Sequence, residues 1–381
     1  DDLDNDGDVD VFSTSTAYCI LFFYQNLYYH GNLQGVCYYD LNQDGQYNEG
    51  EYSLPNQVLT LMPNYLNDYS TTEGYYYVLA NGNHSISVTP QSGWHFTTDS
   101  LVNFMASANQ DTIINFGLYP NTLVSNVKPY VTSGVNDCDG QVPYYLSVIN
   151  DGTNIDTLSI VSLQPDAQLL YQNATPAPDS IGINGRLYWH INSLVPTQQS
   201  NFVVWFQAPN SDSQGDTLLT IANVSSYNQL NEQTSNNSFN YQAIISCVNE
   251  PNNKQVSPLG VMAQNYTLIS NADELYYTIS FQNTGNDTVN KVLIIDGFLY
   301  TLDPSTFRLI NSSHPVEVQF LDYATVSFTF NNILLPDSSS NEVGSHGFVM
   351  YGIKPRVPIL NNTIVVNSAN IFFDENAAIS T

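Results

Sequence analysis

Asp40-Leu41-Asn42-Gln43-Asp44-Gly45-Gln46-Tyr47-Asn48-Glu49-Gly50-Glu51 lies between two runs of strand-forming residues, Val36-Cys37-Tyr38-Tyr39 and Val58-Leu59-Thr60-Leu61. Oxygen side chains fall at loop positions 1, 3 and 5, a glycine at 6 and a glutamate at 12. This is the D-x-[DN]-x-[DN]-G-x5-E spacing of a calcium loop. Alternate residues aim Asp40, Asn42 and Asp44 at one point. Gly45 takes the sharp turn, the Gln46 carbonyl adds a backbone oxygen, and Glu51 closes the sphere with two more. With strands on both sides instead of a helix pair, the expectation is calcium acting as a staple of a β-domain. The alternative is an acidic surface turn that holds no metal.

The chain around this loop has 381 residues, a length that suggests two to four domains. Lys and Arg total 7 against 35 Asp and Glu, for a formal net charge of −28, and no Lys or Arg precedes Lys128. A nucleic-acid surface needs clustered cations, so that class is excluded, and an anionic membrane is a poor partner. The carboxylate excess suits a soluble, exported protein in a calcium-containing medium, with self-repulsion in the metal-free form. The longest apolar run, Ala17 to Tyr24, is far short of the roughly 20 residues that span a bilayer. The chain opens inside an acidic motif and stops abruptly, which reads as a mature fragment of a longer polypeptide. Tyr, Phe, Val, Ile and Thr favour strands. Asn, Gly, Asp and Ser punctuate the chain at the rhythm of antiparallel β-sandwiches, and no helical periodicity is sustained.

Residues 1–32 begin Asp2-Leu3-Asp4-Asn5-Asp6-Gly7-Asp8-Val9-Asp10, a second oxygen-rich loop without the terminal glutamate. It resembles the calcium loop of FG-GAP-type repeats from extracellular β-propellers, which implies Asp2, Asp4, Asp6, Asp8 and Asp10 as further ligands. This segment reads as the tail of an upstream domain or as a linker strand. Residues 33–119 form one unit, with the calcium loop followed by Leu54–Leu61, Thr71–Tyr77, Gly82–Val88, Gly93-Trp94 and Asn115-Phe116-Gly117. That order resembles the SD-repeat-like, calcium-binding B-type domains of bacterial surface adhesins, a small Greek-key sandwich. The resemblance implies calcium on Asp40, Asn42, Asp44 and Glu51. Some of those relatives carry a Lys–Asn crosslink instead; residues 33–119 contain no lysine.

Residues 120–250 and 251–381 read as two copies of one design. Tyr144–Gly152 parallels Tyr276–Gly285, Ile191–Pro196 parallels Asn331–Pro336, and Phe202–Trp205 parallels Phe348–Tyr351. The offset grows from about 132 to about 146, as loop insertions produce. An Asn-x-Gly turn after the first strong strand of each copy suggests a hairpin connection. The fold class expected is all-β: tandem Greek-key and immunoglobulin-like sandwiches. In the last copy, Glu274–Gly285, Asp303–Phe307, Leu335–Ser338, Ser345–Val349 and Asn367–Asn376 are similar to a β-sandwich family near the C-terminus of secreted Bacteroidetes proteins. That family sits before type IX secretion sorting domains, which implies export to the cell surface and says little about activity. Its leading Cys-x-x-Asp-Pro-Asn-Asp-Lys is replaced here by Cys247-Val248-Asn249-Glu250-Pro251-Asn252-Asn253-Lys254.

Cys138 and Cys247 bracket the first copy, and an exported protein favours a disulfide between them. Cys19 and Cys37 either pair or leave Cys37 as a buried strand residue. The six histidines show no metal-binding spacing. Ser313-His314 and Ser345-His346 suggest a nucleophile and base, but neighbours on a strand face opposite ways. Tyr75, Tyr76 and Tyr77 offer aromatic surface to sugars, or alternate between core and solvent. Thr112, Thr157, Ser180, Thr217 and Thr288 each follow an Asp and precede an aliphatic residue, and look like the O-glycosylation sites of exported Bacteroidetes proteins. The sum is a non-enzymatic, secreted structural or adhesive stalk stiffened by calcium. Its expected partners are copies of itself, other surface proteins or glycans, with no nucleic acid and no membrane span. Two alternatives stand beside it: a self-assembling filament subunit, joined by the 1–32 strand, and an accessory region of a hydrolase whose catalytic domain lies upstream.

Overall fold

In the computed structural model, strands joined by turns and short 3-10 segments make up the chain, and no α-helix occurs among the described residues. The structure describes residues 11–14, 21–24, 31–55, 57–63, 66–70, 74–91, 93–107, 110–134, 138–227, 234–247, 251–259, 274–358 and 365–381. The architecture is all-β, as expected. The strands gather into two compact units, Asp1–Tyr119 and Pro120–Thr381.

In the first unit, Val11–Thr14 and Leu21–Tyr24 pair as an antiparallel ribbon. Asp2, Asp4, Asp6, Asp8, Asp10 and Cys19 lie outside the described residues. The central strand Gly31–Tyr39 pairs antiparallel with Tyr75–Ala80 and Tyr52–Ser53. It pairs parallel with Asp111–Ile113 and Phe116–Pro120. A second sheet runs Leu101–Ala106, Gly82–Thr89, Val58–Met62, Leu66–Tyr69. Leu33, Cys37, Leu59, Leu61, Ile86 and Phe116 fill the core. Burial of this apolar surface is the main stabilising term. The strand period of two places Tyr76 inside, while Tyr75 and Tyr77 are exposed. Cys37 is a free, buried thiol, and its burial pushes the thiol pKa up.

The second unit repeats one sandwich twice. In the first copy, one sheet runs Val127–Ser133, Gln141–Asn150, Gln199–Gln207, Leu170–Thr175, and the other Ser180–Ile181, Leu187–Ile191, Ser159–Gln164, Thr217–Ser226, Ser238–Ile244. In the second, the sheets run Asn253–Ser257, Leu275–Gln282, His346–Pro355, Leu302–Ser312 and Glu317–Asp322, Thr325–Leu335, Val289–Gly297, Ala369–Phe373, Ile379–Ser380. The spatial orders correspond strand for strand.

The Asn-x-Gly stretches are not hairpin turns. Each carries the chain from one sheet to the other, because Gln141–Asn150 pairs with Gln199–Gln207 and not with the strand that follows it. The buried Asn150 amide donates to the carbonyls of Asn154 and Leu194, both at 2.8 Å, and its Oδ1 accepts from the Gly152 N–H at 3.0 Å. Asn283 repeats this pattern with Asp287, Leu335 and Gly285 at 2.8, 2.9 and 3.0 Å. One side chain thus bonds three backbone groups and ties the sheet-to-sheet corner to the chain opposite it. Cys138 and Cys247 form a disulfide across the first copy, with Cα atoms 4.9 Å apart.

Candidate functional site

The Asp40–Glu51 loop leaves the end of strand Gly31–Tyr39. Gln43 and Gly45 take left-handed backbone angles, φ 58° and 75°, which wind the loop tightly. For Gly45 this conformation carries no side-chain penalty. Asp40 is fully buried at the loop's base. Its Oδ1 and Oδ2 accept from the N–H groups of Asp44 and Gly45 at 3.2 and 2.9 Å. The Asn42 side-chain oxygen accepts from Asp44 N–H at 2.9 Å, and Asp44 Oδ1 from Gln46 N–H at 2.8 Å. Glu51 reaches back to accept from Leu41 N–H at 3.0 Å and Asn48 N–H at 2.9 Å. The bond from Gln46 N–H, with help from the Asn48 and Asn42 amides, holds the Asp44 carboxyl below its usual range. Burial pushes the Tyr38 phenol up, and Asp40, Glu51 and Asp44 push it further. That hydroxyl is buried with no hydrogen-bond partner among the described residues.

The loop therefore gathers Asp40, Asn42, Asp44 and Glu51 onto one turn, but each oxygen is taken by loop donors. Among the described residues, no group of three or more His, Cys, Asp or Glu is drawn close enough to hold a metal ion. The donor chemistry nevertheless fits a hard divalent cation. Carboxylate, amide and carbonyl oxygens are what calcium takes, and no Lys or Arg occurs in 33–119 to neutralise them. Asp40, Asn42, Asp44, the Gln46 carbonyl and Glu51 would hold the ion, exchanging backbone N–H partners for it.

A second feature went unseen in the sequence. The two sandwiches of the second unit pack sheet on sheet. Along Gln141–Asn150, Tyr144, Leu146 and Val148 face their own core. Tyr145 and Ile149 face the other copy, where Tyr130, Ile149, Ile310, Phe348 and Met350 form a buried seam. The Tyr145 and Phe348 rings lie 4.0 Å apart, and Tyr130 and Tyr276 5.4 Å apart. Polar pairs cross the same seam: Thr132 with Thr278 at 2.7 Å, and Asn311 donating to Ser147 at 2.6 Å. Arg308 clamps its edge, reaching Tyr130 at 2.6 Å, Glu274 at 3.3 Å and Asp151 at 3.4 Å. Lys128 bonds the same Asp151. Burial pushes the Asp151 carboxyl up, but Arg308 and Lys128 outweigh it and hold it below its usual range. The available signal was scarcity: only 7 Lys and Arg stand in a strongly negative chain of 381 residues, and two of them, Lys128 and Arg308, meet here.

Ser313 and His314 do pair, with Oγ and Nδ1 2.9 Å apart, contrary to the strand argument. They follow the strand Leu302–Ser312 and sit in a bend, where the two-residue alternation ends. Ser313 Oγ also accepts from Phe348 N–H at 2.8 Å, which makes the pair a brace for the neighbouring strand. Ser345 and His346 turn apart: His346 faces Glu342, while Ser345 donates to the Glu342 carbonyl. Thr157, Ser180, Thr217 and Thr288 are exposed and Thr112 is half-buried. An open depression of about 650 Å³ in the first unit is lined by Met62, His84, Phe104 and Met105 among others, with no carboxylate. Among the described residues no helix is long and apolar enough to cross a membrane.

Residues 250–381 match a family described as "Domain of unknown function (DUF7619)". No curated protein matches the chain significantly. Among solved structures, the chain is similar to the major pilin subunit of Bacillus cereus at 8% identity and a TM-score of 0.25, covering 92% of each chain. It is similar to a DUF3823 family protein of Bacteroides ovatus at 13% identity and a TM-score of 0.20, over 57% of this chain and 100% of the other. It is also similar to the collagen adhesin of S. aureus at 11% identity and a TM-score of 0.23, over 67% and 92%. Likeness at this level does not extend to a shared activity.

Proposed function

We propose that this region is a non-catalytic spacer of an exported surface protein, structural or adhesive in role. In this reading calcium stiffens the first unit through the 40–51 loop, and the two C-terminal sandwiches act as one rigid block. Export by a type IX route and O-glycans on the exposed Thr157, Ser180, Thr217 and Thr288 belong to the same reading. The observation that carries it is the seam. A surface of Tyr130, Ile149, Ile310, Phe348 and Met350, edged by Arg308, removes the hinge that tandem domains otherwise keep. Fixed spacing between ends is what a load-bearing or presenting segment needs.

The test is calorimetry of the full chain with calcium and with a chelator. The first unit should melt earlier without calcium, by an amount that corresponds to about 2.7 kcal/mol at a hundredfold excess over the dissociation constant. The block 120–381 should melt unchanged. Glu51→Ala should reproduce the chelator's effect. Identical melting in all conditions would remove calcium from the proposal, and separate melting of the two sandwiches would remove the rigid block.

A further inference from the structure

Lys254 lies on the first strand of the second sandwich, opposite Ile279. Its side chain is 4% exposed and that of Asp296 0%. Lys254 Nζ stands 2.6 Å from Asp296 Oδ2, 5.0 Å from the Tyr277 ring centre and 5.7 Å from that of Tyr351. The Tyr351 hydroxyl donates to the same Asp296 Oδ2 at 2.6 Å and accepts from Asn367 Nδ2 at 2.9 Å. Asn367 also bonds the Tyr277 hydroxyl. An amine, a carboxyl and a carboxamide thus meet around two phenols. They come from the first strand, the end of strand Val289–Gly297, and the residues just before strand Ala369–Phe373.

Two atoms in this cluster are unexplained by an ion pair alone. Asp296 Oδ1 and Asn367 Oδ1 are both buried and lack a hydrogen-bond partner among the described residues. Leaving such groups unpaired costs about 1–3 kcal/mol each. Nor does the fold require a lysine here. Leu146 corresponds to Ile279, since both lie four residues before the corner asparagines Asn150 and Asn283, and the residue opposite Leu146 is the fully buried Val131. A buried ion pair is commonly no more stabilising than the apolar side chains that would replace it. Phe298, Phe307 and Phe328 pack on Tyr351 with ring centres 5.7, 5.4 and 5.7 Å away, which keeps water from the cluster. Burial lowers the Lys254 ammonium to about 8 against the opposing pull of Asp296, so a neutral amine is accessible.

We propose that Lys254 and Asn367 join in an intramolecular amide crosslink promoted by Asp296. The ammonium proton of Lys254 passes to Asp296, giving a neutral amine and a neutral acid. Nζ attacks Asn367 Cγ, and a new C–N bond forms. The Cγ–Nδ2 bond breaks as Nδ2 takes a second proton from Nζ, relayed through the Asp296 carboxyl, and ammonia leaves. Asp296 remains protonated until it exchanges with solvent. No oxidant, reductant or cofactor is needed, since the amide supplies its own leaving group. Protonated Asp296 is suited to donate to the developing oxyanion at Asn367, which gives both orphaned oxygens a role.

The test is intact mass and peptide mapping of the folded full chain. The expected result is a mass short by one ammonia, together with a branched peptide that joins Lys254 to Asn367. Asp296→Ala, if it retains β-sheet circular dichroism, should keep the ammonia and yield only linear peptides. Full mass with unmodified Lys254 and Asn367 in the folded wild-type chain overturns the proposal. Loss of ammonia with linear peptides only, as from ring closure at Asn367-Ser368, overturns it equally.

Discussion

The two sandwiches of the second unit share strand order, corner asparagines and a tyrosine at matching core positions, Tyr144 and Tyr277, yet they are closed differently. The first is tied by Cys138–Cys247 and is apolar where Val131 sits. The second has no cysteine beyond Cys247 and places Lys254 and Asp296 in its core. The backbone design sets topology through its corners and alternating strands. How the ends of the chain are held is a separate choice, made by a few side chains. One copy restricts the unfolded chain with a covalent bridge. The other concentrates polar groups in a dry interior, where they are expensive unless paired or converted.

Breaking either closure tests that contrast. Cys247→Ser opens a bridge between residues 109 apart, and should lower stability by about 4–5 kcal/mol on the chain-entropy account, read as a shift in denaturant midpoint. Asp296→Ala leaves Lys254 buried without its partner and should cost about 3–5 kcal/mol by the same measurement. Adding Lys254→Val, which copies Val131, should recover part of that loss. If the double variant is no better than the single one, the two positions are not equivalent. Arg308→Ala removes the seam's charged clamp and should cost about 2–3 kcal/mol, with the two sandwiches then melting less cooperatively.

The smallest effect is in pH dependence. Asp151 has a folded pKa below its unfolded one, so the unfolded chain binds the proton more readily. Its contribution is present above the ordinary carboxylate range and is lost as pH falls through the lowered folded value. Denaturant midpoints measured across that acid window should fall less steeply in Arg308→Ala than in the wild type.

Strand content, the duplicated design and the oxygen-rich loop were legible because each rests on local spacing: alternation in Thr325–Leu335, Asn-x-Gly after each first strand, and Asp40 to Glu51. The corner role of Asn150 and Asn283 was not legible, since Asn-x-Gly looks the same whether the next strand pairs beside the last or crosses to the other sheet. The seam escaped for a related reason. Tyr144-Tyr145-Leu146-Ser147-Val148-Ile149 reads as one strongly apolar strand, and sequence alone does not say that its second face is covered by another sandwich. Lys254, Asp296 and Asn367 are far apart in the chain and become neighbours only after two sheets have packed. Ser313-His314 misled because the strand ends at Ser312, one residue before the pair.

The seam has a consequence for how such chains are built and exchanged. Tyr276, Ile310, Phe348 and Met350 form a contiguous aromatic and aliphatic patch on the second sandwich. Expressed alone, residues 251–381 would show that patch to water and would tend to self-associate. Gene fusions that transplant the last sandwich should therefore bring its neighbour along or supply another cover for the patch.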